Sequence, residues 1–221
     1  MMLLIVSLLL TCITVTPMLY GGLCLAQGGG QVYFFSDFEG SDGGLVGTLD
    51  WDWGDYTWDG TGECCALVEP PPSAHSGTGL WGTVLSGCYT GFENNQGADV
   101  CSNTDSSDDS ILSFTVDLTG ASSAYLSWWE WYDLFGGYDW AEIYVNDELV
   151  FQHCGGTYAA PSVWRQRSIN ISSHAGGMAT IEFHMMASEI VNLSGWYLDD
   201  IGVTSMSGNA LVAPYLLLLL E

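Results

Sequence analysis

The chain has no lysine and two arginines, Arg165 and Arg167, against 26 acidic side chains, a formal net charge of −24 over 221 residues. So few cations exclude the basic footprint that nucleic-acid binding requires. No CxxC pair is present, which argues against a zinc ribbon or a thioredoxin-type site. Catalytic signatures are missing too. His75, His153, His174 and His184 never fall in HExxH spacing, and there is no GxSxG elbow. No ExDxxE run exists, and the nearest acidic pair, Glu130 and Asp133, lacks the spacing that glycoside hydrolysis asks of two carboxyls across a cleft. These absences point away from an enzyme. His153-Cys154 reads as a disulfide or buried thiol before it reads as a thiolate pair.

What is plentiful is carboxylate. An excess of this size ordinarily makes a solvated acidic surface; the sharper reading is calcium, a hard ion that takes several oxygen ligands. The length suits one sizeable core, and no break suggests a second domain.

The start, MMLLIVSLLLTCITVTPMLYGGLCLAQ, is apolar from Leu3 to Val15, with Cys24 and Ala26 placed as the −3 and −1 residues of a cleavage site. Residues 1–26 therefore read as a secretory signal peptide, with an uncleaved anchor as the alternative because no Lys or Arg precedes the run. The tail, 207–221, ends in LVAPYLLLLLE, about half the ~20 apolar residues a membrane span requires. A truncated anchor and a buried terminal strand both stay open, and membrane contact is expected only if an end serves as anchor. The domain between, 31–206, is expected to be extracellular.

Removing the signal takes Cys12 and Cys24 and leaves Cys64, Cys65, Cys88, Cys101 and Cys154. In an oxidising compartment these read as disulfides. Adjacent Cys64 and Cys65 bridge most easily to different partners, Cys88 and Cys101 lie nearest in sequence, and Cys154 is the candidate leftover. Asn170-Ile-Ser and Asn192-Leu-Ser are glycosylation sequons.

No sustained helical period occurs in the mature region, whereas alternation with period two recurs. Leu112, Phe114, Val116 and Leu118 share one face of SILSFTVDL, and Ile181, Phe183 and Met185 one face of MATIEFHMM. In AEIYVNDELVF the inward set Ala141, Ile143 and Val145 meets Asn146-Asp147 and then a second apolar run, a hairpin pattern. Further strands are expected over 32–39, 79–86, 124–132, 163–171 and 196–205. In LDWDWG, Leu49, Trp51 and Trp53 alternate with Asp50 and Asp52, so both indoles are expected in the core. Eight to ten short strands with no helices predict an all-β fold, a jelly-roll-type antiparallel β-sandwich with disulfide-pinned loops.

Several segments in order, FFSDFEGSDGG, DWDWG, PPSAHSGTGLWGTVLSGCY, VDLTGASSAYLSWWEWYD and GWYLDDIGV, resemble MAM-like jelly-roll domains of the concanavalin-like or galactose-binding-like kind. The resemblance runs to the non-catalytic β-sandwich domains that accompany secreted metallopeptidases of the immune inhibitor A type, and it covers 32–203. It implies a secreted accessory or adhesion module, stabilised by calcium in many relatives. The matching acids are Asp37, Glu39, Asp42, Asp199 and Asp200. Carboxylates on paired terminal strands would repel without a cation. In a regular strand, Asp199 and Asp200 point to opposite faces, so one of them is expected as a side-chain ligand, with backbone carbonyls near His75 and Ser76 completing the shell.

The chain also has ten tryptophans. In SWWEWYD, Trp129 and Trp131 share one face and Trp128 and Glu130 the other, so one face packs inward and the other is a candidate groove. Trp58, Trp129, Trp131 and Asp133 are the candidate ligand contacts, since indoles beside carboxylates suit saccharide rings. The expected partner is an extracellular glycan or a surface or matrix protein. An accessory role to an absent catalytic chain and a structural matrix role are the alternatives.

Overall fold

The computed structural model describes residues 30–56, 70–91, 110–135, 138–153, 163–189 and 191–205. Among them are eleven strands and one short 3-10 turn, Ser172–His174. The strands are β1 (Val32–Ser36), β2 (Val46–Gly47), β3 (Trp51–Asp55), β4 (Gly79–Thr83), β5 (Ser110–Asp117), β6 (Tyr125–Asp133), β7 (Trp140–Val145), β8 (Glu148–His153), β9 (Arg165–Asn170), β10 (Met178–Met186) and β11 (Gly195–Thr204). The protein is an all-β, jelly-roll-type antiparallel sandwich. One sheet runs β3-β4-β11-β6-β9, with β1 also on β11, and the other runs β2-β5-β10-β7-β8.

Period-two alternation builds the core as expected. Leu112, Phe114 and Val116 on β5, Ala141, Ile143 and Val145 on β7, and Ile181, Phe183 and Met185 on β10 are all buried against Trp51, Trp81, Trp128 and Trp196 of the facing sheet. Burying such side chains stabilises the fold by roughly 1.5–3 kcal/mol each before chain entropy is counted. The β7–β8 hairpin turns at Asn146 and Asp147, both with positive φ, 50° and 64°. That twist matches the flanking strands, and Asn and Asp tolerate the left-handed region better than most residues.

Two placements differ from the sequence expectation. Trp53 is 37% exposed and Leu49 64% exposed, because β3 is an edge strand that begins at Trp51 and leaves Leu49 in a turn. Asp50, which alternates with the indoles and would face solvent if they faced the core, is buried, with its carboxylate accepting the Thr90 N–H at 2.6 Å. The outer face of the six-stranded sheet is also not an open groove. A second apolar cluster of Tyr56, Ala74, Leu80, Trp131 and Tyr197 covers it.

Strand β11 organises the site. Its whole length pairs with β6 on one side, while on the other side β4 meets Tyr197 and Leu198 and β1 meets Ile201 to Thr204. The two short neighbours lie end to end. At the junction the register with β6 shifts between Asp199 and Gly202, and Asp200 has φ 49°.

Candidate functional site

The bulge at Asp199 and Asp200 receives the loop that enters β4, His75 to Thr78, and that loop is gripped in turn by Glu39, just beyond the end of β1. A regular strand would send the two carboxylates to opposite faces. The left-handed Asp200 cancels that alternation, so both reach the same loop: Ser76 N–H donates to Asp199 Oδ2 at 3.0 Å, and Ser76 Oγ donates to Asp200 Oδ1 at 3.1 Å. The expectation of a single inward carboxylate is therefore corrected.

Asp199 is fully buried, and its Oδ1 accepts the Asp200 N–H at 2.8 Å. Burial, with the Asp200 charge adding to it, pushes its carboxyl up to about 8, although N–H donors at Ser76, Asp200 and His75 pull the other way. Asp200 is half-buried and meets His75 Nδ1 at 2.6 Å. The His75 ring stacks on Trp129, centroids 3.7 Å apart and planes 14° apart, and stands edge-on to Trp164 at 6.0 Å. Trp164 Nε1 in turn donates to the Ser73 carbonyl at 3.1 Å, which anchors the loop carrying His75 to β9.

Glu39 completes the clasp from β1. Its Oε1 accepts the N–H groups of Thr78 and Gly79, both at 2.8 Å. Gly77 between these loops has φ 49°, and a Cβ there would overlap the Glu39 carboxylate. The glycine of AHSG is thus required twice, by its backbone conformation and by the close approach.

Among the described residues, the group of three metal-ligating side chains that converges is His75, Asp199 and Asp200, with ligand atoms within 4.8 Å of one another. Of the five expected acids, Asp199 and Asp200 join it and Glu39 grips the same loop. Asp37 and Asp42 bond within their own turns, Asp37 Oδ1 accepting from Glu39 N and Asp42 Oδ1 from Gly44 N. The two paired carboxylates and the Ser76 hydroxyl fit a hard divalent cation: they are oxygen donors, one of them buried at a cost in its charged form. His75 now occupies the Asp200 oxygen that such an ion would draw on.

The expected aromatic patch divides. Trp129 is half-buried beneath His75 and lies across from the exposed Gln166 of β9. Trp131 and Asp133 are 2% and 1% exposed, so neither offers a surface to a ligand, which corrects that part of the expectation. Trp131 packs edge-on to Tyr197 instead. Trp58, Cys64, Cys65, Cys101, Cys154, the segment 1–26 and the tail 207–221 lie outside the described residues. Cys88 is disulfide-bonded. Of the sequon residues, Asn170 is exposed and Asn192 half-buried. No helix among the described residues is long and apolar enough to cross a membrane.

Sequence reasoning named the neighbourhood of His75 for its backbone and missed its side chain. A second missed group is Glu130, fully buried and held by Arg167 Nε at 2.6 Å, His153 Nε2 at 2.9 Å, Trp128 Nε1 at 3.0 Å and Trp196 Nε1 at 3.2 Å. Burial works to raise its carboxyl, but His153 and Arg167 outweigh it and hold the group below the ordinary glutamate range.

No family model matches the chain. Over 181 residues, 80% of its length, it is 23% identical to Bacillopeptidase F of Bacillus subtilis (strain 168), and it spans 11% of that protein. Similar solved structures include TmCBM61 in complex with β-1,4-galactotriose, at 12% identity and TM-score 0.39, covering 73% of this chain and 87% of that one. Another is the K3 adhesin domain of Lys-gingipain from Porphyromonas gingivalis W83, at 17% identity and TM-score 0.38, covering 79% and 100%. A third is a family 35 carbohydrate binding module from Clostridium thermocellum, at 13% identity and TM-score 0.33, covering 72% and 96%. At these levels the site is read from its own geometry.

Proposed function

We propose that this chain is a secreted, non-catalytic binding module of the adhesion type, in which calcium at Asp199 and Asp200 fastens the first strand and the β4 loop to the last strand. The observation that carries the reading is the convergence of these two carboxylates at a bulge, with Asp199 fully buried and its carboxyl displaced to about 8. A cation seated there would favour the charged form that burial disfavours, and it would stabilise the fold by mass action. We favour an extracellular glycan as the ligand. The support is the half-buried rim of His75, Trp129 and Trp164 beside exposed Gln166, indole surface next to an amide, as sugar rings with their hydroxyls require.

A second reading, an accessory module of a secreted peptidase, is supported by the partial match to Bacillopeptidase F, of which the chain spans 11%. An array of glycans and matrix proteins, probed with the full chain in calcium and in chelator, separates the two. The first reading expects glycan binding that weakens in chelator and in Trp129→Ala. Silence toward glycans in both conditions would contradict it.

A further inference from the structure

The two arginines of the chain both lie on β9, two residues apart and therefore on the same face. Arg165 pairs across from Glu130 and Arg167 across from Trp128, and directly opposed residues share a face, so both arginines lean toward the seam where the sheets meet. That seam is bordered by two edge strands, β9 of one sheet and β8 of the other. From β8 come Phe151, whose ring centroid is 5.9 Å from the Arg167 guanidinium carbon, and His153, whose ring lies 4.3 Å from that of Tyr132.

Closing this seam requires one thing electrostatically, compensation of the buried Glu130 charge. His153 and Arg167 already supply it, through Oε1 contacts at 2.9 and 2.6 Å. Arg165 is not needed for that compensation. It is exposed, and it makes no hydrogen bond or ion pair with any described carboxylate. In a chain of net charge −24, a second cation placed beside the first and bonded to no described carboxylate is a local positive focus in a negative surface. A guanidinium also has donors to spare: Arg167 uses its Nε–H on Glu130 and hydrogen-bonds Tyr132 as well, and the N–H groups beyond those two contacts can meet a carboxylate.

We propose that this edge of the seam, formed by Arg165, Arg167 and His153 with the half-buried Phe151 beside them, is a subsite for the carboxylate of a small ring-bearing ligand. The net negative field of the protein disfavours polyanions, so the ligand carries a single charge. The half-buried Phe151 supplies the apolar contact for its ring. A carboxylate of this kind comes from an acidic sugar or from an aromatic acid, and the subsite recognises what they share. It lies apart from the His75 clasp and stands whether or not that site holds calcium.

The test is titration calorimetry on the full chain with methyl glucuronide, hippurate and, as the uncharged control, methyl glucoside. The subsite predicts that at least one acid binds tenfold or more tightly than the glucoside. Binding of both acids marks recognition of the carboxylate alone, and binding of the glucuronide alone marks a saccharide ligand. Arg165→Ala should lose about tenfold in affinity with its melting temperature nearly unchanged, since Arg165 is exposed and bonds to no described carboxylate, and Arg167→Lys should fall between. Equal binding of acid and glucoside, no binding of either acid, or indifference to Arg165→Ala would overturn the proposal.

Discussion

The imidazole of His75 lies flat on the indole of Trp129, 3.7 Å between centroids, while its Nδ1 meets Asp200 at 2.6 Å. One side chain thus joins the β4 loop to β6 by stacking and to β11 by a hydrogen bond, and the two contributions separate by substitution. His75→Phe keeps the stack and loses the bond, and should cost about 1 kcal/mol, modest because the side chain is partly exposed. His75→Ala loses both and should cost about 2 kcal/mol. Urea unfolding in chelator measures the difference, and equal losses for the two variants would mean the stack contributes nothing.

Gly77→Ala tests the second tie. A Cβ there meets the Glu39 carboxylate, and φ is 49°, so the expected loss is about 2 kcal/mol from strain and from displaced Glu39 hydrogen bonds. Glu39→Ala removes the same bonds. The double variant should therefore lose clearly less than the two single losses added, and strict additivity would show that the clasp is not shared.

Two buried carboxyls at the other end of β6 set a pH dependence. Burial pushes Asp133 and Asp139 up to about 6 from an ordinary 3.8. Asp139 accepts from Tyr89 Oη, Phe135 N and Ser188 N. Folded, these groups keep their protons to about pH 6; unfolded, they release them near 4. Their contribution to stability is complete below about pH 4 and is lost as pH rises through 6, on the order of 3 kcal/mol for each group. Asp139→Asn does not titrate, so its stability relative to wild type should rise between pH 4 and 7. A constant difference across that range would contradict the assignment.

The sandwich was legible because its strands state their period locally. Leu112, Phe114 and Val116 alternate inward, and Asn146-Asp147 marks its hairpin with no help from distant residues. Trp53 was misplaced for a reason local pattern cannot express: alternation gives a face, but an edge strand leaves part of that face uncovered. Asp199 and Asp200 could be read from the sequence as a candidate pair, but their meeting with His75 could not. His75 and Asp200 are 125 residues apart, and the bulge that turns both Asp199 and Asp200 to one loop depends on β1 and β4 sharing one edge of β11. Glu130 was placed correctly on the face of Trp128, yet its partners His153 and Arg167 come from two other strands.

The central claim is that a divalent cation at Asp199 and Asp200 holds the terminal strand to its neighbours, and calorimetric melting of the full chain tests it most directly. With calcium at about a hundredfold its dissociation constant, linkage gives about 2.7 kcal/mol, a rise of several degrees over chelator. At neutral pH Asp199→Asn should melt higher than wild type in chelator, because wild type must take up a proton to bury Asp199 and the amide need not, and it should gain little from calcium. A wild-type melt that is the same in calcium and in chelator, or an Asp199→Asn variant that gains as much from calcium as wild type, would contradict the account.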